Sequence, residues 1–270
     1  MTAYYNEIDP YCAAWLQNLM DAGHIAPGHI DTRSIEDVTP NDLAGYIQCH
    51  FFAGIGVWSL ALRAAGWPDS RPAWTGSCPC QPFSAAGKGA GFADERHLWP
   101  AWQHLIAQCR PAVVFGEQVA SKAVDAWIDL VHADLESMGY AFGGIAFPSA
   151  GVGAPHIRDR TFWLADAHNE RFAGERLLLR SKETGRNSSE VLEIAGCSNA
   201  MRTGPTNGFW SDADWLGCTD GKWRPVEPGT FPLVNGAASR VGRLRAYGNA
   251  INAQAASEFI SAYCESRIYA

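Results

Sequence analysis

The sequence predicts an α/β fold with a mostly parallel sheet and a small, irregular second domain. Short apolar runs alternate with amphipathic stretches over residues 1–167, a pattern typical of parallel sheets that are covered on both faces. Residues 168–230 differ, because they are rich in Gly, Asn, Ser, Thr and Trp and show weak periodicity. Helical spacing returns within residues 231–270. We therefore expect 231–270 to rejoin the first domain and to end in a helix.

Composition excludes several classes of protein. The chain has 270 residues, 47% of them hydrophobic, and a net charge of -7, which is not the composition of a disordered protein. Its longest apolar stretch, 51–62, is shorter than the roughly 20 residues of a membrane-spanning helix. The N-terminus lacks the features of a signal peptide. We expect a soluble, cytoplasmic protein that does not bind membranes.

The eight cysteines show no CxxC pair and no spacing typical of structural zinc. No metal site is predicted. In a reducing compartment most cysteines are small buried residues, so a cysteine in an unusual local sequence is a candidate nucleophile.

Charge is unevenly distributed along the chain. Residues 1–48 contain seven acidic residues and one arginine, whereas 222–245 contain five basic residues and one glutamate. A local basic strip can bind phosphate even on an acidic protein. From charge alone, a solvated surface loop explains the strip equally well.

Two helices have clear start and stop signals. Asp9-Pro10 suits an N-cap and a first helical position, and Gly23 ends the apolar stripe that follows. A second helix is predicted from Ser121 to Gly139. The apolar stripes comprise Cys12, Trp15, Leu16, Leu19 and Met20 in the first helix, and Val124, Ile128, Val131, Leu135 and Met138 in the second.

Strands are predicted at the short apolar runs, which are 47–53, 73–78, 112–115, 141–147 and 161–165. At the end of the chain, Ala250, Ala253, Ala256, Phe259 and Ile260 recur at near-helical spacing.

A glycine-rich turn follows the first of these runs. Phe52-Ala53-Gly54-Ile55-Gly56 precedes a helix predicted over 58–65. Glycines here would let the backbone approach a ligand and leave the helix N-terminus facing it. The turn is not a P-loop, since no Lys-Ser/Thr follows, and a tight turn without a ligand is the alternative interpretation.

The segment Gly76-Ser77-Cys78-Pro79-Cys80-Gln81-Pro82-Phe83-Ser84 is more specific. Two prolines flank Cys80 and keep the backbone extended at the end of an apolar run. This position presents a thiol at the carboxyl edge of a sheet, where α/β proteins bind ligands. The glycine-rich segment that follows suits a mobile loop closing over a substrate.

These motifs resemble those of the DNA cytosine-5 methyltransferases, most closely the compact forms carried by phages and prophages. The matching segments follow the family's order from residue 52 to 250. They are the 52–56 turn, Pro79-Cys80-Gln81 with Ser84, the loop with Gly87, Lys88, Gly91, Phe92, Asp94 and Arg96, Glu117-Gln118-Val119 in place of Glu-Asn-Val, His156-Ile157-Arg158-Asp159-Arg160, and Gly248-Asn249-Ala250. The resemblance implies a Rossmann-like fold that binds S-adenosylmethionine.

One departure concerns the cofactor. The family has a long segment between the glycine turn and Pro-Cys-Gln, with acidic residues for the cofactor's ribose and adenine, but here Gly56 and Pro79 are only 23 positions apart. Either that half-site was lost or it lies elsewhere. The segment 5–10, with Glu7, resembles the ribose motif, and 28–32, with Asp31, resembles the adenine motif. We therefore expect a shuffled strand order in which residues 1–45 supply this part of the sheet and converge on Gly54 and Gly56.

The resemblance also implies site roles. Cys80 would attack cytosine C6, Glu117 would hydrogen-bond N3 and the exocyclic amine, Arg160 would contact O2, and Arg158 would brace the site or contact the DNA backbone. A surface turn is the other interpretation of Arg158. The cofactor residues would be Glu7 and Ile8, Asp31 and Thr32, Phe52, Gly54, Ile55 and Gly56, and Asn249.

The implied partner is double-stranded DNA, with the target base flipped out of the helix, and the protein is expected to be a monomer. Candidate DNA contacts are Ser84, Lys88, Arg96, Lys222, Arg224, Arg240 and Arg243, and 168–230 would be the target-recognition domain. Two alternatives stay open at this point: a catalytically weak relative that only binds DNA or a protein, and an RNA cytosine-5 methyltransferase.

Overall fold

The computed structural model describes residues 2–79, 98–154, 158–167, 214–217, 223–226 and 250–268. Its strands are β1 (Ala3–Asn6), β2 (Gly28–Asp31), β3 (Gln48–Phe51), β4 (Ala73–Gly76), β5 (Val113–Val119), β6 (Ala141–Pro148), β7 (Asp159–Asp166), β8 (Asp214–Gly217) and β9 (Trp223–Val226). Its α-helices are α1 (Pro10–Asp21), α2 (Val57–Ala64), α3 (Trp99–Cys109), α4 (Lys122–Ser137) and α5 (Ala253–Ile268).

Seven strands form one sheet in the order β2-β1-β3-β4-β5-β7-β6. All neighbours among the first five strands are parallel, whereas β7 is antiparallel to both β5 and β6. Six strands therefore run one way and β7 runs the other. This confirms the predicted mostly parallel α/β sheet. The apolar pattern did not reveal the reversed strand, because a strand buried on both faces looks the same in either direction.

The shuffled strand order is also confirmed. The N-terminal β1 lies directly beside β3, with Asn6 paired with Phe51 at the carboxyl ends of both strands. On its other side β1 pairs with β2, where Asn6 faces Asp31. Residues 3–31 thus complete the sheet next to the glycine turn, although they precede it in the chain.

Local signals place the helices where they were expected. The Asp9 side chain caps α1 by accepting hydrogen bonds from the backbone N–H groups of Tyr11 and Cys12, and Ser121 is the N-cap of α4. Ala250 lies before α5, which begins at Ala253. The helix α3 was not predicted. It lies on the face of Tyr4, in a core where four fully buried tryptophans meet: Trp99, Trp102, Trp127 and Trp163.

The helices divide between the two faces of the sheet. Tyr5 points to the face of α1 and α2, because it packs with Leu16 and its hydroxyl bonds Ser59. The helix α5 packs against α2 on this same face. Tyr4 points to the opposite face, where α3, α4 and the turn residues 35–43 pack.

One crossover differs in hand from the others. The β1-α1-β2 connection moves toward one edge of the sheet, and the four later connections, up to β6, move toward the other edge. Of those four, only β3-α2-β4 crosses on the same face as α1. It therefore has the opposite hand to the other connections. Since about 98% of such crossovers are right-handed, β3-α2-β4 is the left-handed one.

In the region predicted as the second domain, the described residues form an antiparallel pair of strands, β8 and β9. No helix in the described part of the chain is long and apolar enough to span a membrane.

Candidate active site

A cavity of about 340 Å³ opens at the carboxyl ends of β1, β3, β4 and β5. Parallel α/β sheets bind ligands at this edge. Three groups of lining residues lie on the N-terminal side: Glu7, Ile8 and Cys12 at the β1-α1 junction, Arg33, Ser34 and Ile35 after β2, and Phe52, Gly54, Ile55 and Trp58 around the glycine turn. The other lining residues used below are Ser77 and Cys78 after β4, Glu117 and Gln118 in β5, Arg160 in β7, and Ala250 and Ile251 before α5.

Glu7 joins the N-terminal strand to the glycine turn. One carboxylate oxygen accepts a hydrogen bond from the Gly54 N–H at 2.6 Å, and the other accepts one from the Asp9 N–H at 2.8 Å. Glu7 and Gly54 therefore lie next to each other in the structure, as expected from the sequence. Both Gly54 and Gly56 have left-handed backbone conformations, with φ of 55° and 80°, which glycine adopts without strain.

Gly56 is also a point of close packing. A Cβ atom there would lie 3.0 Å from Leu16 of α1 and 3.2 Å from Ile25. The close approach keeps the start of α2 against the N-terminal segment. The turn and the β1-α1 junction therefore form one wall of the cavity.

Asp31 lies at the end of β2 but does not line the cavity. Its buried carboxylate accepts hydrogen bonds from the Tyr4 hydroxyl at 2.7 Å and from the Arg33 guanidinium at 2.6 Å. Although burial acts to raise it, the hydrogen bonds from Arg33 and Tyr4 hold the pKa of Asp31 at about 2. Thr32 is exposed and does not line the cavity either.

The cavity wall on this side consists of the residues after Thr32. Asp31 holds Arg33 there, and Asp42 adds a second ion pair to Arg33 at 3.3 Å. Two residues after β1, Ile8 is 65% exposed although it is a large apolar residue. An exposed isoleucine beside a cavity offers an apolar surface to a ligand.

Glu117 lies at the β5 end of the cavity and is buried. The Arg160 Nε lies 2.7 Å from its carboxylate, because β5 and β7 are paired and both side chains point to the α2 face. Burial raises the pKa of Glu117, although the charges of Arg160 and Arg158 and a hydrogen bond from Ser77 act in the opposite direction. A carboxyl in this environment can hold a proton more readily than an exposed one.

Arg158 links two segments beside the cavity. Its guanidinium donates to the Ala250 carbonyl at 2.5 Å, which ties the start of β7 to the segment that enters α5. Ala250 and Ile251 both line the cavity as a result.

Gln118 occupies the position of the asparagine in the Glu-Asn-Val motif that this segment resembles. Its side chain still connects β5 to the segment that follows β4. Its side-chain amide donates to the Cys78 carbonyl at 3.1 Å, and its side-chain oxygen accepts from the Val119 N–H at 2.9 Å. The segment that leads to Cys80 is therefore fixed against β5. Cys78 is buried in the core and also borders the cavity.

Several predicted site residues lie outside the described residues, and their roles stay predictions: Cys80, Ser84, Lys88, Arg96, Lys222, Arg240, Arg243 and Asn249. Arg224 belongs to β9, of which only the backbone is described.

The polar cavity residues that the sequence did not indicate include Arg33, Ser77 and Trp58. Ser77 carried a weak signal, because it immediately precedes the Cys-Pro-Cys run. Trp58 looked like an ordinary core position of an amphipathic helix, and nothing in the pattern distinguished its indole N–H.

Residues 68–195 match a family described as C-5 cytosine-specific DNA methylase. This region includes β4, β5, Glu117 and both site arginines. The match covers slightly less than half of this chain. The matched region begins after β3, so β1, β2 and the glycine turn lie before it.

Among curated proteins, the Type II methyltransferase M.AplI of Arthrospira platensis is 25% identical over 150 residues. That match covers 42% of this chain and 44% of M.AplI, so it spans less than half of the relative's length.

Two solved structures are similar in part. A DNMT2 mutant of Spodoptera frugiperda is 16% identical with a TM-score of 0.42, and the match covers 62% of this chain and 43% of that one. The Entamoeba histolytica methyltransferase EhMeth is 13% identical with a TM-score of 0.42, covering 62% and 45%. Both TM-scores are below 0.5, so the fold assignment rests on the sheet itself.

Proposed function

We propose that the protein transfers a methyl group from S-adenosylmethionine to C5 of a flipped-out cytosine in double-stranded DNA. The observation that carries the proposal is one cavity with two ends: the Glu7 and Gly54 pair borders it, and so does the buried Glu117 and Arg160 pair. A methyl donor and a pyrimidine must meet in one such space. The family and the relative's name support DNA as the substrate.

The residues around Glu7 fit the cofactor. A carboxylate beside glycines with left-handed backbone suits a ribose diol, because it accepts hydrogen bonds where the backbone comes close. Exposed Ile8 and the nearby Ile35 suit the faces of an adenine ring, with Phe52, Gly54, Ile55 and Gly56 toward the ribose and methionine. When bound, S-adenosylmethionine supplies an electrophilic methyl group. Asn249 and Thr32 remain family-based assignments.

For Asp31, the geometry supports an indirect role beside the predicted contact with the adenine amine. Its carboxylate is held by Tyr4 and Arg33, and this pairing fixes the residues that follow. Ser34 and Ile35 then border the cavity where the adenine would lie.

Glu117 and Arg160 would recognise the cytosine. Protonated Glu117 donates to N3 and accepts from the exocyclic amine, while Arg160 holds the carboxyl and donates to O2. The burial that raises the pKa of Glu117 favours the protonated state that this contact needs.

Cys80 would supply the nucleophile at the end of the segment that Gln118 braces. Its sulfur would bond to C6, and the resulting enamine would make C5 nucleophilic. C5 would then take the methyl group as its bond to the sulfonium sulfur breaks, which releases S-adenosylhomocysteine. A base then removes the C5 proton, the electrons reform the C5–C6 double bond, and the C6–S bond breaks to return the thiolate. Ser84, Lys88 and Arg96 would contact DNA phosphates near the entrance.

Bisulfite sequencing of DNA from cells that express the protein tests the proposal. The wild-type protein should protect cytosines at a fixed sequence from bisulfite conversion, and Cys80→Ser should protect none. The unfolding temperature of Cys80→Ser should equal that of the wild type. A second assay uses DNA that contains 5-fluorocytosine, since fluorine cannot leave as a proton does and a stable protein–DNA adduct should accumulate. Methylation by Cys80→Ser at the wild-type rate would contradict the mechanism.

A further inference from the structure

We propose that Ser77, oriented by the indole of Trp58, is a positioning residue that holds the Glu117 carboxyl for recognition of the cytosine ring. The inference rests on the proposed function, and it adds two residues that the family motifs do not name. All three side chains border the same cavity.

The hydrogen bonds form a chain with one direction. The Trp58 indole N–H donates to the Ser77 hydroxyl oxygen at 3.1 Å. An indole nitrogen can only donate, so Ser77 must be the acceptor in this contact. The Ser77 O–H is then free to donate toward Glu117, because the two residues follow Gly76 and Gly116, which are paired on neighbouring strands. A hydrogen bond from Ser77 acts to lower the pKa of Glu117.

Trp58 is itself held firmly. It is buried in α2, its ring lies edge-on to Phe162 with centroids 6.2 Å apart, and it stacks near Phe115 at 6.4 Å. The indole N–H therefore has little freedom to turn away from Ser77. The helix that follows the glycine turn is thus linked through Trp58 and Ser77 to the neighbourhood of the carboxyl at the other end of the cavity.

Glu117 is held by groups from different strands. Arg160 from β7 contacts one carboxylate oxygen at 2.7 Å, and Ser77 reaches the carboxyl from the residues after β4. The charged groups that act on Glu117 are Arg160 and Arg158, while Glu7, Asp9 and Arg33 border the same cavity farther along the sheet edge. A hydroxyl donor favours the ionised carboxylate, so Ser77 opposes the effect of burial.

The test measures the proton affinity of Glu117 directly. Glutamate labelled with 13C at the side-chain carboxyl is titrated by NMR, with Glu117→Gln identifying the signal. Ser77→Ala should move the Glu117 midpoint upward by about one pH unit, because a hydrogen bond to a charged group is lost. The alkaline limb of kcat/KM for DNA methylation should move upward with it.

Ser77→Thr keeps the hydroxyl and should restore both values toward the wild type. Trp58→Phe keeps Ser77 but removes the indole N–H that donates to the Ser77 hydroxyl. This variant should move the Glu117 titration midpoint in the same direction as Ser77→Ala, by a smaller amount. Ser137→Ala, an exposed serine of α4, is the matched control and should change neither value. Thermal unfolding confirms that each variant is folded.

An unchanged Glu117 midpoint in folded Ser77→Ala and Trp58→Phe would overturn the inference, even if both variants lose activity. The proposed function fails by a different result, which is full methylation by Glu117→Gln. The two failures are therefore distinguishable.

Discussion

Substituting Glu7 by glutamine tests how the rearranged N-terminus serves the cofactor. Glutamine has the same shape as glutamate but carries no charge, and only one of its two terminal atoms accepts a hydrogen bond. In the structure both carboxylate oxygens of Glu7 accept from backbone N–H groups, those of Gly54 and Asp9. The variant must therefore leave one of these donors without its acceptor, and it offers a weaker acceptor to a ribose diol.

The expected loss of affinity follows from these contacts. A hydrogen bond to a charged group contributes about 1.5–3 kcal/mol, and each 1.4 kcal/mol is about tenfold in affinity. Glu7→Gln should weaken binding of S-adenosylhomocysteine, measured by calorimetry, by about 10- to 100-fold. Affinity for DNA should change little. Glu136→Gln, an exposed glutamate of α4 far along the chain, is the control and should bind as the wild type does.

A purely structural role for Glu7 would also weaken binding, because the glycine turn would loosen. A double-mutant cycle separates the two roles. S-adenosylhomocysteine is compared with its analogue that lacks both ribose hydroxyls, in wild type and in Glu7→Gln. If Glu7 contacts the ribose hydroxyls, the wild type should bind the analogue much more weakly than S-adenosylhomocysteine, whereas Glu7→Gln should bind the two ligands with similar affinity. Equal losses for both proteins would refute the contact and leave Glu7 as a support of the turn.

Two further predictions concern DNA and pH. Arg224→Ala should reduce the slope of log DNA affinity against log salt concentration by about one phosphate contact, and it should leave the methylated sequence unchanged. Binding titrations at several salt concentrations measure the slope. A changed methylated sequence with an unchanged slope would indicate base readout instead. Burial lowers the pKa of His50 to about 3, so the folded protein keeps it neutral while the unfolded chain takes up a proton below about pH 6.5. The free energy of unfolding should therefore fall by about 1.4 kcal/mol per pH unit between about pH 6.5 and pH 3. In urea titrations His50→Gln should lose this part of the pH dependence, and an identical dependence in the variant would contradict the buried neutral state.

Local signals predicted most of the elements. The Asp9-Pro10 pair and Gly23 defined α1, since capping and helix termination depend on a few neighbouring residues. The reversed direction of β7 and the helix α3 were not predicted. Both depend on the packing of distant segments, such as the contacts of Trp99 and Trp102 with Trp163.

The convergence of Glu7 on the glycine turn was predicted from sequence motifs. Glu7 was placed beside Gly54 from its motif alone, because parallel strands bring their carboxyl ends to one edge of the sheet. The use of Asp31 to hold Arg33, and the link from Trp58 to Ser77, could not be read from the sequence. These contacts join residues whose spacing follows no period, and only the folded chain brings them together.

The left-handed β3-α2-β4 crossover follows from the same rearrangement. The glycine turn requires α2 to begin at the cavity and to pack beside α1, as the approach of Gly56 to Leu16 shows. With β1 already occupying the neighbouring position on the α1 side, the chain must leave α2 and enter the sheet on the other side of β3. Contacts between residues close in sequence stabilise the segment from α2 to β4. Arg63 forms an ion pair with Asp69 at 2.7 Å, and Arg71 stacks on the buried Trp67. The position of the glycine turn therefore determines the hand of this crossover, against the general preference for right-handed crossovers. Departures from general folding rules are expected at functional sites, so this exception agrees with a functional role for the turn.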